Sequence, residues 1–249
     1  MARIMNAEVQ MPPRMSARIV GFNRTSLLDW DGYVAATIYL QGCNLCCGYC
    51  HNPQLLPPTS DLEEVPLQLV LDYVAEHKDF VDGVVITGGE PTIHADLFAI
   101  LKKIRATGMK TKLDTNGTNP DMLEDLLGAG MLDFVAMDIK APLDERYAKV
   151  AGVEVDLQAL GRSITLLKQG SVDYEFRTTI VPFYIQEKEV SDIATAISGA
   201  KKYALHQFRK GHSLDQRLSV LDPYPDDRIR LMADIAKKHV RRVVIRGEV

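Results

Sequence analysis

The chain has 249 residues, of which 46% are hydrophobic and 25% are charged, and its formal net charge is -4 at pH 7. A chain of this length and apolar content can bury one large core, so a single domain over residues 1–249 is predicted. The negative net charge argues against a nucleic-acid partner, and no apolar run is long enough to predict a membrane span.

The first residues of the chain do not predict a secretory signal. Residues 1–16 contain prolines and polar residues but lack an apolar core segment. We therefore expect a cytoplasmic protein, in a reducing compartment where cysteine thiolates survive as metal ligands.

The predicted elements begin with a strand that leads into a group of cysteines. Residues 34–40 form a short apolar, β-branched run, which predicts a buried strand. After the proline pair at 57–58, a helix is expected to begin near Pro66, because apolar residues follow it at helical spacing. A second buried strand is predicted over residues 83–87, followed by a helix over residues 96–107 that ends before Gly108.

The alternation of strand and helix continues along the chain. Further strands are predicted at residues 110–113, 134–137, 174–180 and 203–208, and further helices at residues 121–127, 157–168 and 188–200. These elements form about six β/α units within a core of about residues 17–210. A last helix at residues 226–239 and a strand at residues 242–245 resemble an appendage. The predicted fold is α/β, a partial (β/α)6 open barrel of parallel strands.

All four cysteines of the chain lie within eight residues, at positions 43, 46, 47 and 50. Cys43, Cys47 and Cys50 have the spacing C-x3-C-x2-C, and three thiolates on one loop can hold three irons of a 4Fe-4S cluster and leave the fourth iron open. A structural zinc site is disfavoured because its two cysteine pairs would abut, and a disulfide scaffold is disfavoured in a chain of this length. Cys46 is either a spare thiol or part of an alternative ligand register.

Other polar residues follow the predicted strands. Gly88 and Gly89 let backbone approach a ligand closely, and Glu90 supplies a carboxylate that suits an amino group. Asp114 and Asp138 follow two further strands, where they either cap loops or share a ligand or cation site. The carboxyl ends of parallel strands meet at one edge of the sheet, so we expect these residues at one mouth.

These motifs together resemble a known family. The cysteine loop with Tyr49 before its last cysteine, and the Gly-Gly-Glu-Pro run at 88–91, are similar to the radical S-adenosylmethionine (radical SAM) superfamily. The narrower resemblance is to activases of glycyl-radical enzymes, and among them to those of anaerobic ribonucleoside-triphosphate reductase. It extends roughly over residues 21–224 and is carried by residues 50–53, 82–92, 112–117, 136–142 and 174–179.

The resemblance implies cofactor roles for individual residues. It assigns the cluster to Cys43, Cys47 and Cys50. It also assigns residues to S-adenosylmethionine (SAM) and to a monovalent cation beside it. Tyr49 would lie at the adenine, and Gly88, Gly89 and Glu90 would lie at the amino group. Asp114, Thr115 and Asp138 would lie at the ribose and the cation, and the remaining SAM contacts would be Lys140, Arg177 and His206. His51 and His94 are further candidates for substrate contact, with local hydrogen bonding as the default for each.

The resemblance also implies an activity. One electron, from flavodoxin or ferredoxin, cleaves SAM into methionine and a 5′-deoxyadenosyl radical, which removes a hydrogen atom from a glycine of the partner enzyme. The implied partner is the large subunit of anaerobic ribonucleotide reductase. Two alternatives remain, a radical SAM enzyme that modifies a small molecule, RNA or another peptide, and a non-catalytic iron-sulfur or zinc module.

Overall fold

A computed structural model describes residues 16–56, 61–211 and 213–247 of the chain. Residues 1–15, on which the absence of a secretory signal was predicted, and the proline pair at 57–58 lie outside the described residues. The strands are β1 (Ile19–Ser26), β2 (Ala35–Leu40), β3 (Gly83–Gly88), β4 (Lys110–Thr115), β5 (Phe134–Asp138), β6 (Asp173–Ile180), β7 (Tyr203–Gln207) and β8 (Val243–Arg246). The helices are α1 (Leu67–Glu76), α2 (Leu97–Ala106), α3 (Pro120–Gly128), α4 (Arg146–Ala151), α5 (Leu157–Gln169), α6 (Glu187–Ala196) and α7 (Asp226–Ala236).

The eight strands form one sheet in which spatial order follows chain order from β1 to β8. Strands β2 to β8 are parallel, and β1 is antiparallel to β2. Within the described part of the chain β1 and β8 do not pair, so the sheet stays open. The predicted α/β fold with an open sheet of parallel strands is confirmed, and the six predicted core strands correspond to β2–β7.

Strand β1 and helix α4 were not predicted, and the C-terminal helix and strand were predicted as an appendage but belong to the main fold. Strand β1 was missed because it lies at the edge of the sheet and carries three consecutive exposed residues, which weakens the apolar pattern. Helix α4 was missed because its six residues are too few to show a helical period. The expected C-terminal appendage continues the sheet, since β8 pairs in parallel with β7 and α7 packs against α6.

Local sequence fixes where several helices begin and which face they bury. The side chain of Asp156 accepts hydrogen bonds from backbone N–H groups in the first turn of α5. Asn119 does the same for α3, whose first residue is Pro120. Fully buried residues such as Leu97 and Leu101 then hold α2 on the sheet, and each such side chain contributes about 1.5–3 kcal/mol of burial.

The loop between β1 and β2 closes the amino end of the barrel. Trp30 is buried there, and its ring lies 6.1 Å from that of Phe134 on β5. The Asp31 carboxylate accepts from Lys202 at 2.6 Å and from Arg246 on β8 at 2.7 Å. Because this end is closed, the interior opens at the carboxyl ends of the strands.

No helix in the described part of the chain is both long enough and apolar enough to cross a bilayer.

Candidate active site

A cleft with a volume of about 230 Å³ lies at the carboxyl ends of β2–β6. It is lined by the three cysteines predicted to hold a cluster and by every predicted SAM residue except His206. The sequence analysis did not assign a cofactor role to four further polar lining residues, Asn52, Thr87, Asn116 and Thr179. Three of them lie at or just beyond the ends of parallel strands, which is the signal that could have identified them.

The cysteine loop after β2 is fastened to its surroundings by backbone hydrogen bonds. Gly42 N–H donates to the carbonyl of Leu55 at 2.7 Å, and Cys46 N–H donates to the carbonyl of Ala151 in α4 at 2.9 Å. From the segment after β7, the N–H of Asp215 donates to the Gly48 carbonyl at 2.8 Å. These bonds fix the loop from three directions, so its side chains have defined orientations.

Three of the four thiols face the cleft. Cys43, Cys47 and Cys50 line it, whereas Cys46 is exposed and does not. Burial raises the pKa of the Cys43 thiol to about 12, with a further contribution from the Glu90 charge. Burial also raises the pKa of Cys47, although the Lys140 ammonium opposes this shift. Thiols of this kind ionise when a metal ion replaces the proton, so the donor set fits an iron-sulfur cluster.

The arrangement differs from a site for one metal ion. Among the described residues, no three or more His, Cys, Asp or Glu side chains converge as the ligands of a single ion would. The thiolates of a cubane cluster bind different irons, so they need to surround a common space rather than a common atom. The three thiols of the cleft meet that requirement.

Glu90 ties two loops together beneath the cleft. Its Oε1 accepts from the backbone N–H of Thr92 at 3.0 Å, from the Thr92 hydroxyl at 2.6 Å and from the Thr115 hydroxyl at 2.7 Å. Its Oε2 accepts from Asn116 N–H at 2.6 Å. Burial raises the pKa of Glu90, and these hydrogen bonds oppose the rise. An ionised Oε2 with one donor can accept another, so Glu90 can also receive an ammonium group in the cleft.

Gly88 and Gly89 are required by the backbone beside them. A side chain on Gly89 would collide with the carbonyl oxygen of Gly42, and one on Gly88 would collide with the backbone of Leu40. Gly88 also has a φ of 123°, which L side chains rarely adopt. The glycine pair therefore lets the loop after β3 pack against the cysteine loop, where Glu90 N–H donates to the Gly42 carbonyl at 2.8 Å.

Replacing Gly89 with alanine is expected to separate these two loops. The methyl group would meet backbone, which cannot rotate away, so the free energy of unfolding should fall by about 3 kcal/mol and iron content should fall with it. Gly161→Ala is the matched control, since an added methyl in α5 meets no neighbour and alanine favours helix. Urea denaturation and iron analysis test both variants. A Gly89→Ala protein with normal stability and iron would contradict this account.

Alternating charges cross the interior of the barrel to the cleft. Arg177 on β6 donates to Asp114 at 2.9 Å and to Asp138 at 2.7 Å. Lys112 lies 3.2 Å from the Asp114 carboxylate, and Lys140 lies 2.9 Å from that of Asp138. Lys112 also donates to the carbonyl of Asp29 at the closed end of the barrel. We refer to Lys112, Asp114, Arg177, Asp138 and Lys140 as the interior charge network.

The interior charge network places a cation, the Lys140 ammonium, at one wall of the cleft. Burial opposes ionisation of Asp138, but the positive charges of Arg177 and Lys140 prevail and hold its pKa below its usual range. The pKa of Lys140 is raised although burial opposes this, chiefly because of Asp138. Three cations and two carboxylates leave one excess positive charge, and Lys140 carries it to the wall of the cleft. A carboxylate of a bound ligand would pair with that ammonium.

Tyr49 contributes a buried hydroxyl that lacks a partner. The side chain is 4% exposed and lines the cleft, and its Oη has no hydrogen-bond partner among the described residues. An unsatisfied buried hydroxyl costs about 1–3 kcal/mol, so this group is available to hydrogen-bond a ligand or a water molecule in the cleft. Burial raises the pKa of Tyr49 well above its usual value, so the hydroxyl is neutral and able to donate.

Three histidines named from the sequence have different locations. His206 on β7 does not line the cleft, and its Nε2 lies 3.4 Å from Arg246 on β8. Burial, with the charge of Arg177, lowers the pKa of His206 to about 4. His51 lines the cleft beside the cysteine loop, and His94 is buried after the short helical turn Pro91–Ile93.

The sequence also did not predict the hydrogen bonds that join the cysteine loop to the loop after β4. Asn44, between the first two cysteines, accepts from Asn116 Nδ2 at 2.9 Å and donates to the Thr118 hydroxyl at 2.8 Å. The loop after β4 is thereby fixed to the cysteine loop. An asparagine in a loop has many possible partners, so no signal in the sequence indicated this one.

Known proteins resemble this chain over much of its length. The family model described as the radical SAM superfamily matches residues 37–198. A protein of Methanocaldococcus jannaschii that is assigned as a glycyl-radical enzyme activating enzyme is 33% identical over 239 residues, 93% of this chain and 97% of that protein. The pyruvate formate-lyase-activating enzyme of Clostridium pasteurianum is 31% identical over 140 residues, 54% of this chain and 57% of that enzyme.

The fold also resembles that of a solved structure. The crystal structure of QueE from Escherichia coli matches with a TM-score of 0.56 and 20% sequence identity. The match covers 94% of this chain and 96% of that one. At this level of identity the likeness concerns the fold alone.

Proposed function

Because the chain belongs to the radical SAM superfamily, and within it to the glycyl-radical enzyme activating enzymes, we propose that it generates a glycyl radical on an anaerobic ribonucleoside-triphosphate reductase. The family implies a 4Fe-4S cluster and SAM as cofactors, and a glycyl-radical enzyme as the partner. The choice of the reductase rests on the motifs at residues 50–53, 82–92, 112–117, 136–142 and 174–179.

The observation that carries the proposed chemistry is the convergence of three thiols, a buried carboxylate and a lysine on one cleft. Cys43, Cys47 and Cys50 would hold the cluster. Glu90 Oε2 would accept from the SAM amino group, and Lys140 would pair with the SAM carboxylate. Bound there, the cluster and SAM supply one-electron reductive cleavage of SAM and removal of a hydrogen atom from glycine.

The remaining residues of the cleft would orient the nucleoside and exclude water. Tyr49 presents its ring and a hydroxyl that needs a partner, which suits an adenine. Asp114, Thr115 and Asp138 lie where the ribose would be bound. A monovalent cation at the two aspartates would compete with Arg177, which already pairs with both.

The proposed reaction requires an external electron donor and a reducing compartment. Flavodoxin or ferredoxin would supply the electron, as the resemblance to the activases implies, and the four cysteines of one loop offer ligands for a single cluster. Free thiols in the cysteine loop require a reducing compartment, which the cytoplasm provides.

A second candidate partner is pyruvate formate-lyase. The similarity to the activating enzyme of Clostridium pasteurianum favours it, although that similarity covers 54% of this chain. An electron paramagnetic resonance (EPR) assay distinguishes the two partners. The reconstituted protein, SAM and a reductant are incubated anaerobically with each partner, and a glycine-centred doublet is expected on the reductase.

Each outcome of the EPR assay has a separate meaning. A doublet on pyruvate formate-lyase alone would overturn the choice of partner and leave the activase function intact. SAM cleavage without a doublet on either enzyme would favour an enzyme that modifies another substrate. Failure to cleave SAM under strong reduction would favour a non-catalytic iron-sulfur or zinc module.

A further inference from the structure

Lys112 is the member of the interior charge network that lies deepest in the protein. It is 3% exposed and does not line the cleft. Its ammonium donates to the Asp29 carbonyl and lies 3.2 Å from Asp114 Oδ1. An apolar side chain would fill the same space without the desolvation cost of a buried charge. Packing alone therefore does not account for a lysine at this position.

Each carboxylate oxygen of the two network aspartates has a cationic neighbour within the chain. Asp114 Oδ2 accepts from Arg177 Nη1 at 2.9 Å, and Asp138 Oδ1 accepts from Arg177 Nε at 2.7 Å. Asp138 Oδ2 accepts from Lys140 Nζ at 2.9 Å. The neighbour of the fourth oxygen, Asp114 Oδ1, is the Lys112 ammonium.

The contact between Lys112 and Asp114 is an ion pair without a directed hydrogen bond. Asp114 Oδ1 is buried and has no hydrogen-bond partner in the described part of the chain, so the nearby ammonium offsets its charge by proximity alone. A neutral side chain at position 112 would leave this oxygen as a buried anion that needs a cation from solution. Lys112 therefore determines whether the site requires such an ion.

A monovalent cation, which the resemblance to the activases implies at Asp114, Thr115 and Asp138, fits these residues poorly. The Thr115 hydroxyl is already engaged, since it donates to Glu90 at 2.7 Å and accepts from Gly117 N–H at 3.1 Å. An ion at the two aspartates would share their oxygens with three cationic side chains. It would also add to the excess positive charge of a buried network, which is unfavourable.

We propose that the Lys112 ammonium replaces the monovalent cation and makes SAM binding by this chain independent of K⁺ and Na⁺, an inference that rests on the proposed SAM site. Lys112 is a positioning residue and does not touch SAM. Its charge holds Asp114, which Arg177 joins to Asp138. Asp138 in turn positions Lys140, the proposed partner of the SAM carboxylate.

Exchange of the salt tests the wild-type protein directly. SAM affinity of the reconstituted protein is measured by equilibrium dialysis in potassium chloride, sodium chloride or tetramethylammonium chloride at equal ionic strength. Tetramethylammonium is too bulky to replace a metal ion between two carboxylates. The Kd should differ by less than about twofold among the three salts, and a loss of about tenfold or more in tetramethylammonium chloride would overturn the proposal.

Replacing Lys112 with methionine should create a requirement for a small cation. Because Asp114 Oδ1 loses its cationic neighbour, the Kd for SAM in tetramethylammonium chloride should rise about tenfold, and potassium should recover most of the loss. The thermal midpoint of this variant should also rise when potassium replaces tetramethylammonium, whereas that of the wild type should not. Lys112→Gln, which keeps a donor for the Asp29 carbonyl, repeats the test if the methionine variant folds poorly.

Lys110→Met is the matched control. Lys110 is exposed on the same strand, where it donates to the Tyr33 hydroxyl at 3.0 Å, so this variant should behave as the wild type in every salt. A SAM affinity that is independent of the salt in both Lys112 variants would overturn the role of Lys112 and leave the proposed function intact. A wild-type protein that binds no SAM in any salt would remove the proposed function itself.

Discussion

Single replacement of Cys43, Cys47 or Cys50 by alanine is expected to abolish the cluster, whereas replacement of Cys46 is expected to retain it. The first three thiols line the cleft and are available to iron. Cys46 is exposed, and its backbone N–H donates to the carbonyl of Ala151, a bond that alanine preserves. Iron and sulfide analysis of the four reconstituted variants measures the difference directly.

The effect on activity should follow iron content. Mutating residues that merely support a metal ligand typically costs 10–100-fold, so loss of a ligand should lower the glycyl-radical yield by more than about a hundredfold. Cys46→Ala should keep the yield of the wild type. Loss of iron in Cys46→Ala, with retention in one of the other three variants, would establish the alternative register and contradict the assignment made from the structure.

The orientation of Cys46 shows why the sequence left that register open. Spacing alone allows several sets of three thiols among four cysteines in eight residues. The backbone that turns Cys46 outward is held by Ala151 at the end of α4, more than a hundred residues later in the chain. Helix α4 was not predicted, because its six residues show no recognisable period. The thiol set therefore depends on a tertiary contact that local pattern does not encode.

The sequence predicted the fold more completely than it predicted which charged residues of the site pair with one another. Strands such as β2 and β3 are short apolar runs buried on both faces, so their pattern is strong. Asp114, Asp138 and Arg177 were placed at strand ends, but the sequence did not show that Arg177 joins the two aspartates. That contact depends on the register of β4, β5 and β6, in which Asp138 lies opposite Arg177.

The glycine pair has a structural role that the sequence analysis did not predict. Sequence analysis assigned Gly88 and Gly89 to close approach of a ligand. In the structure the space where their side chains would be is filled by backbone of residues 40–42. A glycine permits close approach of any group, and the sequence does not distinguish a ligand from a neighbouring loop.

Replacing Arg177 with methionine is expected to cost both stability and SAM affinity. Asp114 and Asp138 would lose their shared cation, and their side chains are only partly exposed, at 14% and 30%. Because removal of one member of a fully buried ion pair costs about 3–5 kcal/mol, a loss near the lower end of that range is expected. SAM affinity should fall at least tenfold, since the misplaced Asp138 no longer positions Lys140. Arg177→Lys should recover only part of either loss, because one ammonium cannot reproduce the two-sided contact of a guanidinium.

The stability loss should depend on pH in a defined direction. The folded-state pKa of Asp138 lies below its unfolded value of about 3.9, so its contribution is fully present above that value and is lost as the pH falls. The difference between wild type and Arg177→Met should therefore be largest near pH 7 and should shrink as the pH approaches 4 and falls below it. Urea denaturation at a series of pH values measures this difference.

A matched control separates the buried network from ordinary ion pairs. Arg217 also pairs with an aspartate, Asp215, at 2.7 Å, but its side chain is 90% exposed. Arg217→Met should therefore leave the urea midpoint close to that of the wild type, because an exposed ion pair contributes little to stability. An Arg177→Met protein as stable as Arg217→Met would mean that Asp114 and Asp138 do not depend on Arg177. Unchanged SAM affinity in Arg177→Met would show that the interior charge network does not contribute to SAM binding.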